Sequence, residues 1–242
     1  MNFIIVPSHS TAELNNQLRQ PTYLWGHMKL EIDFQQEQVY GRKLYAMYGE
    51  CSKKSRILAW LRPWICPYGP LVTVLQGQDT VLDIGCGTGN LLLLLCSLGL
   101  IRQGTGVDVA EAALRDARKA ASSFNADLTF SSSPLINGEF DAVSMIDVMH
   151  HIPVKDQHSF FMDKLSHVKR GGLLCYKDMN LFPLTHRYWN WLHDRIMAGQ
   201  YINLVPVENI LSWTEEAGFV LERSSDYSRF LYSHQLRIFR RR

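Results

Sequence analysis

The run Val81-Leu82-Asp83-Ile84-Gly85-Cys86-Gly87-Thr88-Gly89 ends an apolar stretch in an acid, then sets three glycines at alternate positions. Asn90 and five leucines follow, as the start of a helix would. Glycine at a strand-to-helix turn permits positive φ and lets a ligand reach the backbone. The helix behind such a turn offers unpaired N–H groups and a positive dipole end. In an α/β sheet that is the edge where nucleotides bind. A second acid, Asp108, lies 23 residues after Gly85 and closes Gly104-Thr105-Gly106-Val107-Asp108-Val109. A carboxylate at the end of the second strand can accept both ribose hydroxyls of a nucleoside.

A different chemistry is available at Asp147-Val148-Met149-His150-His151. A histidine near its ordinary pKa can take a proton from a hydroxyl or an acidic C–H. Asp178 follows the next expected strand, where a carboxylate could orient and polarise an imidazole. Adjacent residues diverge, so one of the two histidines is expected to face the pocket. The bland alternative is a histidine that packs the next helix and an Asp178 that is a solvated loop acid.

These residues need a scaffold, and the pattern around them alternates strand and helix, which argues a parallel sheet. Strands are expected near 80–84, 104–109, 127–131, 140–146 and 173–177, with helices near 90–98, 110–122 and 154–168. Gly171-Gly172 reads as a turn into strand five, and Val207–Ala217 as a helix that Gly218 ends. Phe219–Ser224 and Leu231–Phe239 close the chain as β segments. Upstream, a helix is expected from about Thr11. Tyr40, Leu44, Met47 and Tyr48 fall at helical spacing, and Lys53–Leu61 reads as a helix broken by Arg62-Pro63, where three prolines fall in nine residues. Leu181–Gly199 is an aromatic insertion with His186 and His193 on one helical face.

The glycine spacing is G-x-G-x-G, not the G-x-G-x-x-G of dinucleotide enzymes. With its acid two residues upstream it resembles motif I of the class I S-adenosylmethionine (SAM) methyltransferases. Three further segments are similar to that family: Phe140–Val143 with Asp147–Pro153, Arg170-Gly171-Gly172 before strand five, and Glu215-Glu216-Ala217-Gly218-Phe219. The resemblance covers about residues 75–240. It implies a Rossmann-like seven-stranded, mostly parallel sheet with an antiparallel last strand, preceded by an N-terminal helical lid over residues 1–74 and interrupted by a cap insertion over 179–206. It implies SAM as donor and S-adenosylhomocysteine (SAH) as product. The expected cofactor-binding residues are Asp83, Gly85, Cys86, Gly87, Gly89, Asp108, Val109 and, at the sulfonium end, Asp147. The expected catalytic residues are His150 or His151 with Asp178. After strand three the family often has an acid for the adenine amino group; here the residues are Ser131-Ser132-Ser133.

The chain lacks the Pro-Pro-aromatic motif of amino-N methyltransferases, a Pro-Cys nucleophile and a double-glutamate loop, so the acceptor is expected to be a small or carrier-bound metabolite. The aromatic insertion suits an apolar or aromatic one, and oxygen is the expected atom. Transfer to carbon or nitrogen and a non-catalytic SAM-binding scaffold are the alternatives. With 25 Lys and Arg against 23 Asp and Glu, no global field draws nucleic acid. Five scattered cysteines have no metal-ligand spacing, and a cytoplasmic setting is expected. No apolar run reaches spanning length, but Trp60, Trp64 and Ile65 leave peripheral membrane contact open.

Overall fold

The structure, a computed structural model, describes residues 32–123, 127–180, 203–229 and 232–242. The expected helix from Thr11 and the aromatic insertion lie outside the described residues. The described residues hold seven strands, β1 (Thr80–Ile84), β2 (Gln103–Val107), β3 (Leu128–Ser131), β4 (Phe140–Ile146), β5 (Val168–Met179), β6 (Phe219–Arg229) and β7 (Tyr232–Arg241). They form one sheet in the order β3-β2-β1-β4-β5-β7-β6. Strands β1 to β5 pair in parallel, and β7 runs antiparallel to both β5 and β6. The chain progresses outward from β1 to β3, then crosses back to β4 beside β1. The crevice at the carboxyl ends of β1 and β4 is therefore the switch point where such sheets bind ligands.

Side chains alternate across the strands, and this splits the core in two. Val81, Ala142, Cys175 and Ile238 belong to one buried cluster, together with Leu91–Leu95 of helix α4 (Asn90–Ser97) and Leu114, Ala117 and Ala120 of α5 (Glu111–Ser122). Leu82, Ile84, Val143, Met145, Leu174, Tyr176 and Phe239 form the other, against α6 (Val154–Leu165) and α7 (Val207–Glu216). Leu91–Leu95 are all at most 4% exposed. A helix apolar all round is stable only when enclosed, and α4 lies between the sheet and the N-terminal helices.

Those helices are α1 (Phe34–Met47), α2 (Lys53–Ile65) and α3 (Gly69–Leu75). Asp33 caps α1 by accepting from the N–H groups of Gln35 and Gln36. Tyr40, Leu44 and Tyr48 share the first core cluster. Gly41 lets α1 and α2 touch, since a Cβ there would lie 2.6 Å from the Trp60 carbonyl oxygen. The buried Glu37 accepts from Tyr68 and Gly69 N–H at 2.8 and 2.7 Å, joining α1 to the start of α3.

Two of the boundaries that differ from the sequence expectation have a local cause. Helix α2 runs through Pro63 to Ile65. Only two helical residues follow Pro63, so the missing N–H removes a single late bond. The stop falls at Cys66, outside the helical region at φ −122° and ψ 89°, because Pro67 disfavours helical backbone in the residue before it. Strand β5 starts at Val168 rather than Leu173. The register jumps from Phe140↔Val168 to Ala142↔Leu173, so Gly171-Gly172 lies in a bulge inside the strand.

Candidate active site

Gly85, Gly87 and Gly89 all have positive φ, at 69°, 54° and 80°, where an L side chain is strained. Their surroundings differ. A Cβ on Gly85 would meet Val148 at 2.5 Å, and one on Gly89 would meet Phe130 at 2.6 Å. A Cβ on Gly87 would meet nothing within 4 Å. Gly89 is thus dictated by packing, and Gly87 holds bare backbone against open space, as a bound ligand requires. The loop is held from outside by Tyr48, fully buried, whose hydroxyl donates to the Thr88 carbonyl at 2.5 Å.

Asp108 accepts from Gly87 N–H and Ala110 N–H, both at 2.8 Å. Each carboxylate oxygen keeps a lone pair for a further donor. Val109 beside it is 95% exposed. Both residues line a cavity of about 570 Å³ with Ile84, Gly85, Ser132, Ser133, Asp147, Val148 and His151. That volume suits a nucleoside-sized ligand. The two serines stand where the family often has an acid after strand three. The open face of Gly87, the anchored Asp108 and this cavity together fit SAM.

Cys86 and Asp83 present less to the cavity. The Cys86 thiol turns into the core, 9% exposed, and burial pushes its pKa up. Asp83 is 4% exposed and accepts from the Ser144 hydroxyl at 2.6 Å. Burial, only partly offset by that bond, pushes its pKa up to about 7.

Asp147 is the one non-glycine residue with positive φ among the described residues, at 58°. It accepts from Lys177 Nζ at 2.7 Å and Arg62 Nη2 at 3.0 Å. Burial opposes its charge, but the two cations outweigh burial and hold the carboxyl well below the usual carboxylate range. Lys177 is fully buried; burial opposes its charge too, and Asp147 overcomes this and raises its pKa. On β7, His234 is pushed down to about 3 by burial and then by Lys177, so it stays neutral at physiological pH. Sequence reasoning missed Arg62, Lys177, Ser144 and Tyr48. A lysine at the end of the apolar run Leu173–Tyr176 was a signal for one of them.

The two histidines diverge. His150 is 1% exposed and Asp178 3%. His150 Nδ1 lies 2.5 Å from Asp178 Oδ1, in direct hydrogen-bond contact. Asp178 also accepts from Met179 N–H at 2.7 Å and His150 N–H at 3.3 Å. It is therefore a buried, fully engaged carboxylate at the end of β5, not a solvated loop acid. His151 is exposed and lines the cavity, its ring centroid 4.0 Å from that of His150. Both sit on a 3-10 turn, Met149–His151. Gln157 of α6 steadies that turn by donating to the carbonyls of Met149, Ile152 and Asn203. Among the described residues no group of His, Cys, Asp and Glu could hold a metal ion.

The methyltransferase domain family matches residues 51–224. A carboxy-S-adenosyl-L-methionine synthase of Campylobacter fetus is 26% identical over 148 residues, 55% of this chain and 63% of that protein. A ubiquinone biosynthesis O-methyltransferase of Glaesserella parasuis is 31% identical over 110 residues, 41% of this chain and 45% of that protein. The chain thus spans less than two thirds of the length of these curated relatives. In fold it is similar to the magnesium protoporphyrin IX methyltransferase of Synechocystis with bound SAH, with a TM-score of 0.58 at 19% identity, covering 96% of this chain and 94% of that one.

Proposed function

This chain belongs to the methyltransferase domain family and has its class I, SAM-dependent fold, and we propose that it methylates an oxygen of a small or carrier-bound apolar metabolite. When bound, SAM supplies a methyl group on a positively charged sulfur, already activated for in-line displacement. The chain's own residues then have to hold, align and desolvate. Asp108 offers acceptors for the ribose hydroxyls, and the Gly85–Gly87 backbone and Asp147 face the amino-acid end. Ser132, Ser133 and His151 wall the nucleoside end, with Val148, Ile152 and Phe160 excluding water.

The observation that carries transfer to oxygen is the buried His150–Asp178 pair. A hydroxyl must lose its proton as it is methylated. Asp178, bonded to His150 Nδ1, orients the imidazole and would stabilise the imidazolium that forms when His150 takes that proton. His151 then belongs to the cofactor wall rather than to proton transfer.

The test uses calorimetry with SAH and SAH release from SAM with a series of alkylphenols. Asp108→Ala is expected to weaken SAH binding by about 1.5–3 kcal/mol, as for lost charge-assisted hydrogen bonds. His150→Asn is expected to keep SAH binding and lower kcat by roughly 10²–10⁴-fold. Methyl transfer that survives His150→Asn at full rate would sink the base assignment. One observation favours a second reading. Arg62 and Lys177 leave a surplus cation around Asp147, which suits a carboxylate-bearing co-substrate, and the Campylobacter fetus relative is named a carboxy-SAM synthase. Mass spectrometry of the nucleoside product separates the two.

A further inference from the structure

Helix α2 shows an apolar side to the solvent, the reverse of an ordinary surface helix. Its buried residues are the small Ala59 and Pro63. Ile57, Leu58 and Trp60 are 48%, 45% and 40% exposed, and Leu61, Trp64 and Ile65 are half-buried. On the adjacent α1, Val39 and Tyr45 are exposed as well. Cations frame this face. Lys53 and Lys54 are exposed at its N-terminal end, and Arg56 lies 3.9 Å over the Tyr45 ring. Between Cys51 and Gln78 the chain has four cations and no acid, although its overall net charge is only +2. The fourth cation, Arg62, turns inward to Asp147.

We propose that the outer face of α2, with the adjoining side of α1, docks on a membrane that carries anionic headgroups. No helix among the described residues is long and apolar enough to cross a bilayer, so the contact is interfacial. Tryptophan suits the headgroup boundary, with its apolar ring and polar N–H. Isoleucine and leucine beside it reach the acyl layer, and the lysines meet the negative surface. The charge pattern argues against a second copy as the occupant, since a two-fold contact sets this acid-free stretch against itself and offers its lysines no opposite charge. The surface is also coupled to the site. Arg62 lies five residues beyond Ile57, about 7–8 Å along the helix, and bonds the Asp147 that lines the cavity. Docking on this face would hold the cavity beside the phase in which apolar acceptors concentrate.

The test is co-sedimentation of the full chain with vesicles of phosphatidylcholine alone and of phosphatidylcholine mixed with phosphatidylglycerol. The chain is expected to bind the mixed vesicles and to be partly released by salt. Ile57→Ser and Leu58→Ser should each lower the partition coefficient on the order of tenfold. Lys53→Gln and Lys54→Gln should each lower it about fivefold, on the anionic vesicles only. Unchanged SAH binding and thermal midpoints show that the variants fold. A wild-type chain that stays in the supernatant with both vesicle types overturns the proposal, as does binding indifferent to all four substitutions. A dimer that Ile57→Ser dissociates would assign the face to a second copy and overturn it as well.

Discussion

Gly87 and Gly89 lie two residues apart in the same loop, both at positive φ, yet alanine should act differently at each. The left-handed conformation costs an alanine roughly 1–2 kcal/mol. Loss of chain entropy in the unfolded state returns about 0.4–1 kcal/mol of that. At Gly87 nothing else opposes the methyl group, since no atom lies within 4 Å of the added Cβ. Gly87→Ala should therefore reduce stability by only about 0.5–1 kcal/mol. At Gly89 the methyl would also fall 2.6 Å from Phe130 Cε1 and 3.1 Å from Ala117 Cβ. Phe130 and Ala117 are both in the core, and overpacking adds about 1–3 kcal/mol. Gly89→Ala should then lose about 2–4 kcal/mol. Ligand affinity should rank in the opposite order. On the proposed placement of SAM against the bare Gly87 backbone, Gly87→Ala should weaken SAH binding by about 10- to 100-fold. Folded Gly89→Ala should bind SAH nearly as the wild type does. Urea unfolding and SAH calorimetry on both variants decide this. Wild-type affinity in Gly87→Ala would refute the cradle, and equal stability of the two variants would refute the packing argument.

Two other perturbations follow from the buried charges. Lys177→Met removes a fully buried cation and leaves Asp147 to Arg62 alone; the expected loss is about 3–5 kcal/mol in urea unfolding, with part recovered by adding Asp147→Asn. A Lys177→Met protein as stable as the wild type would contradict the ion-pair account. Asp83 gives a pH signature. Burial pushes its pKa up to about 7 in the folded chain, against an ordinary 3.8, so between these values the unfolded chain has released a proton that the folded chain retains. Asp83 therefore lowers stability as pH rises through that window, by about 1.4 kcal/mol per unit of difference, and the loss is complete above 7. Asp83→Asn should gain on the wild type across the window and level off above it, and parallel stability curves would count against a buried, protonated Asp83. Asp147 acts oppositely: its depressed pKa stabilises the fold above the ordinary carboxylate value, and that contribution is lost as pH falls below it.

Local chemistry in the sequence was enough for the elements and the cofactor edge. Short apolar runs alternating with helical stretches located strands β1, β4 and the middle of β5, and the glycine spacing marked the loop after β1. The acid that follows β2, Asp108, does line the cavity. These signals are legible because strand period, turn conformation and helix start depend on neighbours within a few residues. The sequence could not say which histidine meets Asp178, because that pairing joins positions 28 residues apart through the β4–β5 register. Nor could it show that Asp147 is held by Arg62, 85 residues earlier, and by Lys177, 30 later. The inward thiol of Cys86 and the outward apolar face of α2 likewise follow from how α1, α2 and the sheet pack. Helical spacing shows which residues share a face, and only the tertiary packing decides which face is turned to solvent.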